Sequence, residues 1–353
     1  MGETGDALGR LDARLREWTA ERDFSGVALI TRAGTVEFEG CYGLANRADG
    51  VPNRIATRFG LASLTKMFTA LTVVDLVGRG RVGFDTPVVD VLPAARRPAT
   101  LLPEVTVHHL LAHTAGIADY FEEEDEHASG DFAELWTELP AYRMLRPADF
   151  LPLFGDLPPY RGPGQRFQYS NAGYIVLGLL IEELSGRPYQ DAVTRAVFEP
   201  AGMAASGFFA LDEVRPDIAV GYLPPREPGG LWRSNIYAIP ARGGPDGGAL
   251  SNAIDLDRFL RAFAAGTMAG PDGRDAMLTP RAEIRDGLAM GYGTFLYGTG
   301  GTHRYGHGGG DPGYEVLIHH FPAQQANTIV LCNINGLASD VRDELVTATL
   351  ALS

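Results

Sequence analysis

Apolar and polar positions alternate near both ends of the chain and fall at helical spacing between them. Val27–Thr31, the Ala33-Gly34 pair and Thr35–Tyr42 read as a β-hairpin with a two-residue turn. Ahead of it, Leu8, Leu11, Leu15 and Trp18 put one apolar stripe on a short amphipathic helix within residues 1–22. From Ser63 to about Gly78, Leu64, Met67, Phe68, Leu71 and Val74 keep a helical period, and Ala70, Val73 and Val77 cover much of the remaining circumference. A helix apolar nearly all round is a buried one, and Gly78 and Gly80 end it. Residues 81–284 then read as helices and long loops, with helices at Thr106–His113, Tyr174–Leu184 and Leu256–Phe263. The period returns to strands at Gly291–Tyr297, Arg304–Gly306, Tyr314–Phe321 and Thr328–Ile334, before a last helix at Ser339–Leu350. Strands at both ends with helices between them predict a discontinuous α/β domain, residues 1–80 and 285–353, and an inserted helical domain, residues 81–284.

Composition narrows the class. The 353 residues suffice for a large core, and a net charge of −14 without any basic stripe argues against nucleic acid or an anionic membrane as partner. The polar N-terminus has no apolar signal core, and no apolar run approaches membrane-spanning length, so a cytoplasmic location is expected. Cys41 and Cys332 are far apart, lack metal-ligand spacing and lie in strand-like segments; both are expected to be buried free thiols. The run Glu122-Glu123-Glu124-Asp125-Glu126 reads as a solvated acidic loop. His108, His109 and His113 share one short helix, and His319 and His320 point to opposite sides of a strand, so no metal site is expected.

Of the 30 lysine and arginine residues, Lys66 is the single lysine. Arginine carries charge as well but cannot release its proton in a protein, whereas a buried lysine can. Lys66 stands in Ser63-Leu64-Thr65-Lys66, one helical turn after a hydroxyl and on the same helix face. A serine needs a base beside it to act as a nucleophile, and its place in the first helical turn favours a developing oxyanion.

Two further segments carry candidate chemistry. Tyr169-Ser170-Asn171 follows the Arg161–Gly164 turn and precedes an apolar helix. Tyr169 could relay a proton if cationic neighbours lowered its pKa, Asn171 could donate to a substrate carbonyl, and Ser170 or Asn171 could equally be a plain helix cap. Gly306-His307-Gly308-Gly309-Gly310 lies between two strands, where glycines let a substrate lie against the backbone. This HGGG is not the oxyanion loop of an α/β-hydrolase, because no G-x-S-x-G pentapeptide exists in the chain.

S-x-x-K, Y-x-N and H-x-G in that order resemble the serine β-lactamase and penicillin-binding-protein superfamily, and the tyrosine points to its class C branch of β-lactamases, D,D-carboxypeptidases, D-aminopeptidases and family VIII carboxylesterases. Leu110–Gly116, Pro163-Gly164 through Met203, and Gly247–Ser251 are similar to further family segments, so the resemblance spans most of the chain. It implies an α+β fold of the class C β-lactamase kind, an antiparallel sheet flanked by helices plus the helical insert, and no cofactor. It also implies roles: Ser63 as acylated nucleophile, Lys66 and Tyr169 sharing general-base work, Asn171 holding the acyl-side carbonyl or amide. Gly310 and Ser63 N–H groups would form the oxyanion hole, beside Gly309, and His307 would stand where relatives have the Lys of KTG.

One departure bears on the substrate. Relatives place a threonine hydroxyl after that basic residue to read a substrate carboxylate, and here the position is Gly308. The expected function is therefore a serine hydrolase acting as a carboxylesterase on small or hydrophobic acyl esters. The alternatives are a D-residue peptidase, D,D-carboxypeptidase or β-lactamase, an acyltransferase using the same acyl-enzyme, and a non-catalytic β-lactam or muropeptide sensor.

Overall fold

The computed structural model describes residues 3–123 and 132–352. Its centre is an eight-stranded antiparallel sheet. Two strands come from the N-terminal region, β1 (Gly26–Arg32) and β2 (Thr35–Tyr42). Six follow near the C-terminus: β3 (Ala282–Arg285), β4 (Leu288–Met290), β5 (Phe295–Tyr297), β6 (Arg304–Asp311), β7 (Tyr314–Phe321) and β8 (Ala326–Cys332). The order across the sheet is β2-β1-β8-β7-β6-β5-β4-β3. The β1–β2 turn puts Ala33 and Gly34 both at positive φ, the two-residue geometry whose twist matches that of the flanking strands.

Strand alternation divides the core in two. Ala28, Ile30, Val330 and Cys332 pack under helix α1 (Glu3–Glu21) and the C-terminal helix (Ala338–Ala351), whereas Val27, Leu29, Ile329 and Leu331 face the larger core on the opposite side. Both faces are thus covered, which is why the central strands read as nearly continuous apolar runs. The larger core holds α2 (Thr65–Gly78), α3 (Val107–Leu111), α4 (Asn171–Ser185) and α5 (Ala253–Ala264). Among the described residues no helix is long and apolar enough to cross a membrane.

Several expectations shift. The segment read as one strand, Gly291–Tyr297, supplies only β5; β3 starts inside the stretch read as helices and long loops, and β4 lies just before Gly291, where the pattern predicts no element. These strands are three or four residues long, too short for a period-2 pattern to stand out. Cys41 is exposed, not buried, because it sits at an outward position of the edge strand β2. Cys332 is buried; the register pairs Gly26 with Cys332 and Val27 with Cys41, so β1 runs between the two thiols, roughly two strand spacings apart and beyond disulfide reach.

Candidate active site

The candidate nucleophile sits on a short turn, Ala62–Leu64, that runs directly into α2. Ala62 has a left-handed φ of 45°, a conformation that costs a non-glycine residue about 1–2 kcal/mol. Neighbouring segments hold it there. Leu61 N–H donates to Ala249 O at 2.8 Å, Gly248 N–H to Ala62 O at 3.2 Å, and Ala249 N–H to Thr65 Oγ1 at 3.0 Å. Strand β6 presses from the other side: a Cβ at Gly309 would lie 2.7 Å from Ser63 N and 2.9 Å from Ala62 Cβ. Gly309 therefore permits the strand to approach the nucleophile turn. Gly310, next along, has open space where a side chain would stand. Strand β5 pairs with β6 only as far as Gly306, so the edge of β6 from His307 to Asp311 has no partner strand on that side.

Lys66 is fully buried on α2. Its Nζ lies 3.0 Å from Ser63 Oγ, 2.7 Å from Asn171 Oδ1 and 2.7 Å from Asp246 O. Three acceptors match the three N–H groups of an ammonium. Burial pushes the amine below its ordinary pKa, and the carboxylates of Asp246, Glu123, Asp119 and Asp311 partly oppose this. On losing a proton the amine can keep its bonds to Asn171 and Asp246 and turn its lone pair to the Ser63 hydroxyl.

Tyr169 is buried, and its ring centroid lies 4.8 Å from Lys66 Nζ. Its phenol is not acidified by that amine. Burial raises the pKa well above 10 despite the nearby cation, with Glu123 adding to the rise and a hydrogen bond with Ser63 opposing it. Tyr169 is thus a protonated group beside Ser63, suited first to giving a proton. Asn171 also differs from the expected free donor. Its Oδ1 is taken by Lys66, and its Nδ2 donates to Glu123 Oε1 at 3.1 Å and to Phe121 O at 3.5 Å. The start of the acidic run borders the site while Glu123 stays exposed, and Glu122 accepts from Gln168 Nε2 at 3.0 Å; residues 124–126 lie outside the described ones.

His307 is 1% exposed. Its Nδ1 lies 2.5 Å from Gly308 O, and burial pushes its pKa down to about 3. It is a neutral imidazole, not a stand-in for an ammonium. A Cβ at Gly308 would meet Leu317 Cδ2 at 2.5 Å on the strand face opposite His307, so a threonine there would push into Leu317.

Three supporting residues, His113, Asp119 and Asp246, escaped the sequence reading. His113 was grouped with histidines of no special role, yet its ring stacks between Tyr169 at 4.5 Å and Tyr174 at 4.9 Å, and its Nδ1 accepts from Ser170 N–H at 2.9 Å. Asp119 accepts from the backbone N–H groups of Asn171 at 2.5 Å and Ala172 at 3.2 Å, anchoring the start of α4; burial raises its pKa to about 7. Ser170 is the helix cap, its Oγ accepting from Gly173 N–H at 2.9 Å. Asp246 gives its carbonyl to Lys66 and its carboxylate to the Tyr120 hydroxyl.

Two lobes meet at Ser63. One, about 300 Å³, is lined by Tyr169, Phe295, His307, Gly310 and Glu315. The other, about 390 Å³, is lined by Phe121, Phe132, Asn171, Asp246 and Asp311. Glu123 borders both, and among the described residues no lysine or arginine lines either. Arg242 donates its Nε–H to Phe208 O and lines neither lobe. Among the described residues no group of three or more metal-ligating side chains converges.

Comparison with known proteins places this geometry. The family model described as Beta-lactamase matches residues 11–352. The crystal structure of a penicillin binding protein from Bacillus halodurans is similar at 38% identity and a TM-score of 0.87, covering 94% of this chain and 98% of that one. Esterase EstB of Burkholderia gladioli is 35% identical over 60% of this chain and 54% of its own length. A D-aminopeptidase of Brucella anthropi is 26% identical over 93% of this chain, which spans 59% of that protein.

Proposed function

The chain belongs to the beta-lactamase family of serine hydrolases, and on that premise we propose that it is a carboxylesterase working through an acyl-enzyme on Ser63. The observation that carries this reading is the contact of Lys66 Nζ with Ser63 Oγ at 3.0 Å inside a buried, cation-poor site. Lys66 as free amine takes the Ser63 proton while Oγ attacks the ester carbonyl. The oxyanion forms against the N–H groups of Ser63 and Gly310. Tyr169 gives its proton to the departing alkoxide and recovers one from the Lys66 ammonium. Water then attacks the acyl-enzyme with its proton taken by the same Tyr169–Lys66 pair, and Ser63 leaves protonated. Tyr169 must reach the leaving group, so its lobe takes the alcohol and the Asn171 lobe takes the acyl group.

Among the described residues the cleft contains no cation to read a carboxylate other than Lys66, which already serves Ser63. Losing a charge-assisted hydrogen bond costs about 1.5–3 kcal/mol. The kcat/KM for short-chain p-nitrophenyl esters is therefore expected to exceed that for nitrocefin by at least about a hundredfold, with intrinsic ester reactivity adding to the difference. Nitrocefin turnover within tenfold of ester turnover would return the assignment to a β-lactamase or D,D-peptidase.

A second reading has its own support. Glu123, Asp246 and Asp311 border the acyl lobe, which suits a free ammonium such as that of an N-terminal D-residue. D-Aminoacyl p-nitroanilides in the same panel separate the two readings.

The pH dependence follows from the two ionisations. Lys66 must be neutral, so kcat/KM rises with pH and levels off above an apparent pKa below the usual 10.5 of lysine. Tyr169 must be protonated, and its raised pKa keeps it so, which predicts no fall up to pH 10. A pH profile on a p-nitrophenyl ester, repeated on Asp311→Asn because that carboxyl is raised to about 7, checks this. A decline setting in below pH 9 would contradict the assignment of Tyr169 as proton donor.

A further inference from the structure

We propose that His307 presents the lone pair of its Nε2 to the departing fragment, so that the leaving-group lobe selects a hydrogen-bond donor there, a hydroxyl, amide N–H or ammonium, and rejects a carboxylate. The inference rests on the hydrolase reading and names the leaving-group chemistry of that site. A carbonyl oxygen only accepts, so the 2.5 Å contact between His307 Nδ1 and Gly308 O requires the proton to be on Nδ1. In a neutral imidazole Nε2 is then an acceptor. Nε2 is buried and has no hydrogen-bond partner among the described residues, on a ring that is itself 1% exposed. The ring is held between Phe295, 4.9 Å away centroid to centroid, and Tyr169 at 6.5 Å, and it lines the lobe that opens from Ser63.

The surroundings leave this acceptor to the substrate. Burial with Lys66 nearby keeps the ring neutral at physiological pH. A buried acceptor left without a donor is unfavourable, and a donor brought in by the substrate relieves it. The other polar side chains of the lobe reinforce the choice. Glu123 and Glu315 border it, and among the described residues no lysine or arginine does. A departing carboxylate would meet two like charges and a lone pair. The strand offers no hydroxyl at position 308, where a side chain would be directed at Leu317.

Three butyrate esters that differ only in the alcohol test this: 2-hydroxyethyl, 2-methoxyethyl and carboxymethyl, followed by pH-stat titration. The hydroxyethyl ester should exceed the methoxyethyl ester by about tenfold in kcat/KM, with the carboxymethyl ester slowest. His307→Phe keeps an aromatic ring without an acceptor and should bring the first ratio to about one. His307→Gln keeps an acceptor and should preserve the preference, and His307→Lys should raise the carboxymethyl ester relative to the others by about tenfold. Equal rates for the first two esters in the wild type, a ratio that survives in His307→Phe, or a preference for the carboxymethyl ester would overturn the proposal. Long-range proton–nitrogen NMR of the eight histidines, with His307 assigned from any of the three variants, gives a readout independent of turnover. Nδ1 should be protonated and Nε2 bare between pH 6 and 8. The opposite tautomer or an imidazolium refutes the inference even if esters are hydrolysed, whereas failure to hydrolyse any ester refutes the esterase reading and leaves the tautomer to decide this one.

Discussion

Ser63→Ala should lower ester hydrolysis by about four to six orders of magnitude, the loss expected when a covalent nucleophile is removed. The structure singles out this hydroxyl: it lies 3.0 Å from the amine of Lys66, on a turn that the Gly248-Ala249 segment and strand β6 hold in place. Folding should be unaffected, because alanine removes only an oxygen that borders open lobes. Steady-state kinetics on a p-nitrophenyl ester, with a melting curve as control, measures the effect. A variant retaining more than about a hundredth of wild-type kcat would place the chemistry elsewhere.

Lys66→Arg should be nearly as damaging as Lys66→Ala. Arginine retains the charge opposite Asp246, Glu123 and Asp311 but cannot give up its proton. If the charge alone mattered, through orienting Asn171 Oδ1 and Asp246 O, the arginine variant would keep much of its activity. If proton transfer matters, kcat falls by at least tenfold and by a similar factor in both variants. A kcat above about a tenth of wild type would leave at most ~1.4 kcal/mol of barrier to that proton and end its role as base. The guanidinium is larger than the ammonium in a site with no exposure, so each variant's melting temperature must be compared with the wild type before its rate is interpreted.

Much of the site was legible because its chemistry is written in short spacings. Ser63 and Lys66 are one helical turn apart, and the serine–lysine contact follows from that spacing alone. Tyr169 and Asn171 precede a strongly apolar helix, which fixed their place at its start. The residues that tune these groups were not legible, because their partners are remote in sequence. Asp246 meets Lys66 across 180 residues, His113 meets Ser170 across 57, and Asp119 meets Asn171 across 52. Charge states are not legible for the same reason: the sequence leaves open whether a cation acidifies Tyr169, and burial raises its pKa instead; His307 stands where relatives have a lysine, and burial leaves it neutral. Burial depends on what folds over a residue, and for both it comes from elements far along the chain. In the fold, the hairpin and long central strands announced themselves, while β3 and β4 were too short to carry a pattern.

The most direct test is intact-protein mass spectrometry after treatment with a p-nitrophenyl alkylphosphonate, followed by peptide mapping. Attack by Ser63 Oγ on phosphorus expels p-nitrophenolate and leaves a stable phosphonyl ester. One adduct per chain, located on Ser63 and absent from Ser63→Ala, is the predicted result. An adduct on another residue, or none under conditions where the protein hydrolyses esters, would contradict a Ser63 acyl-enzyme.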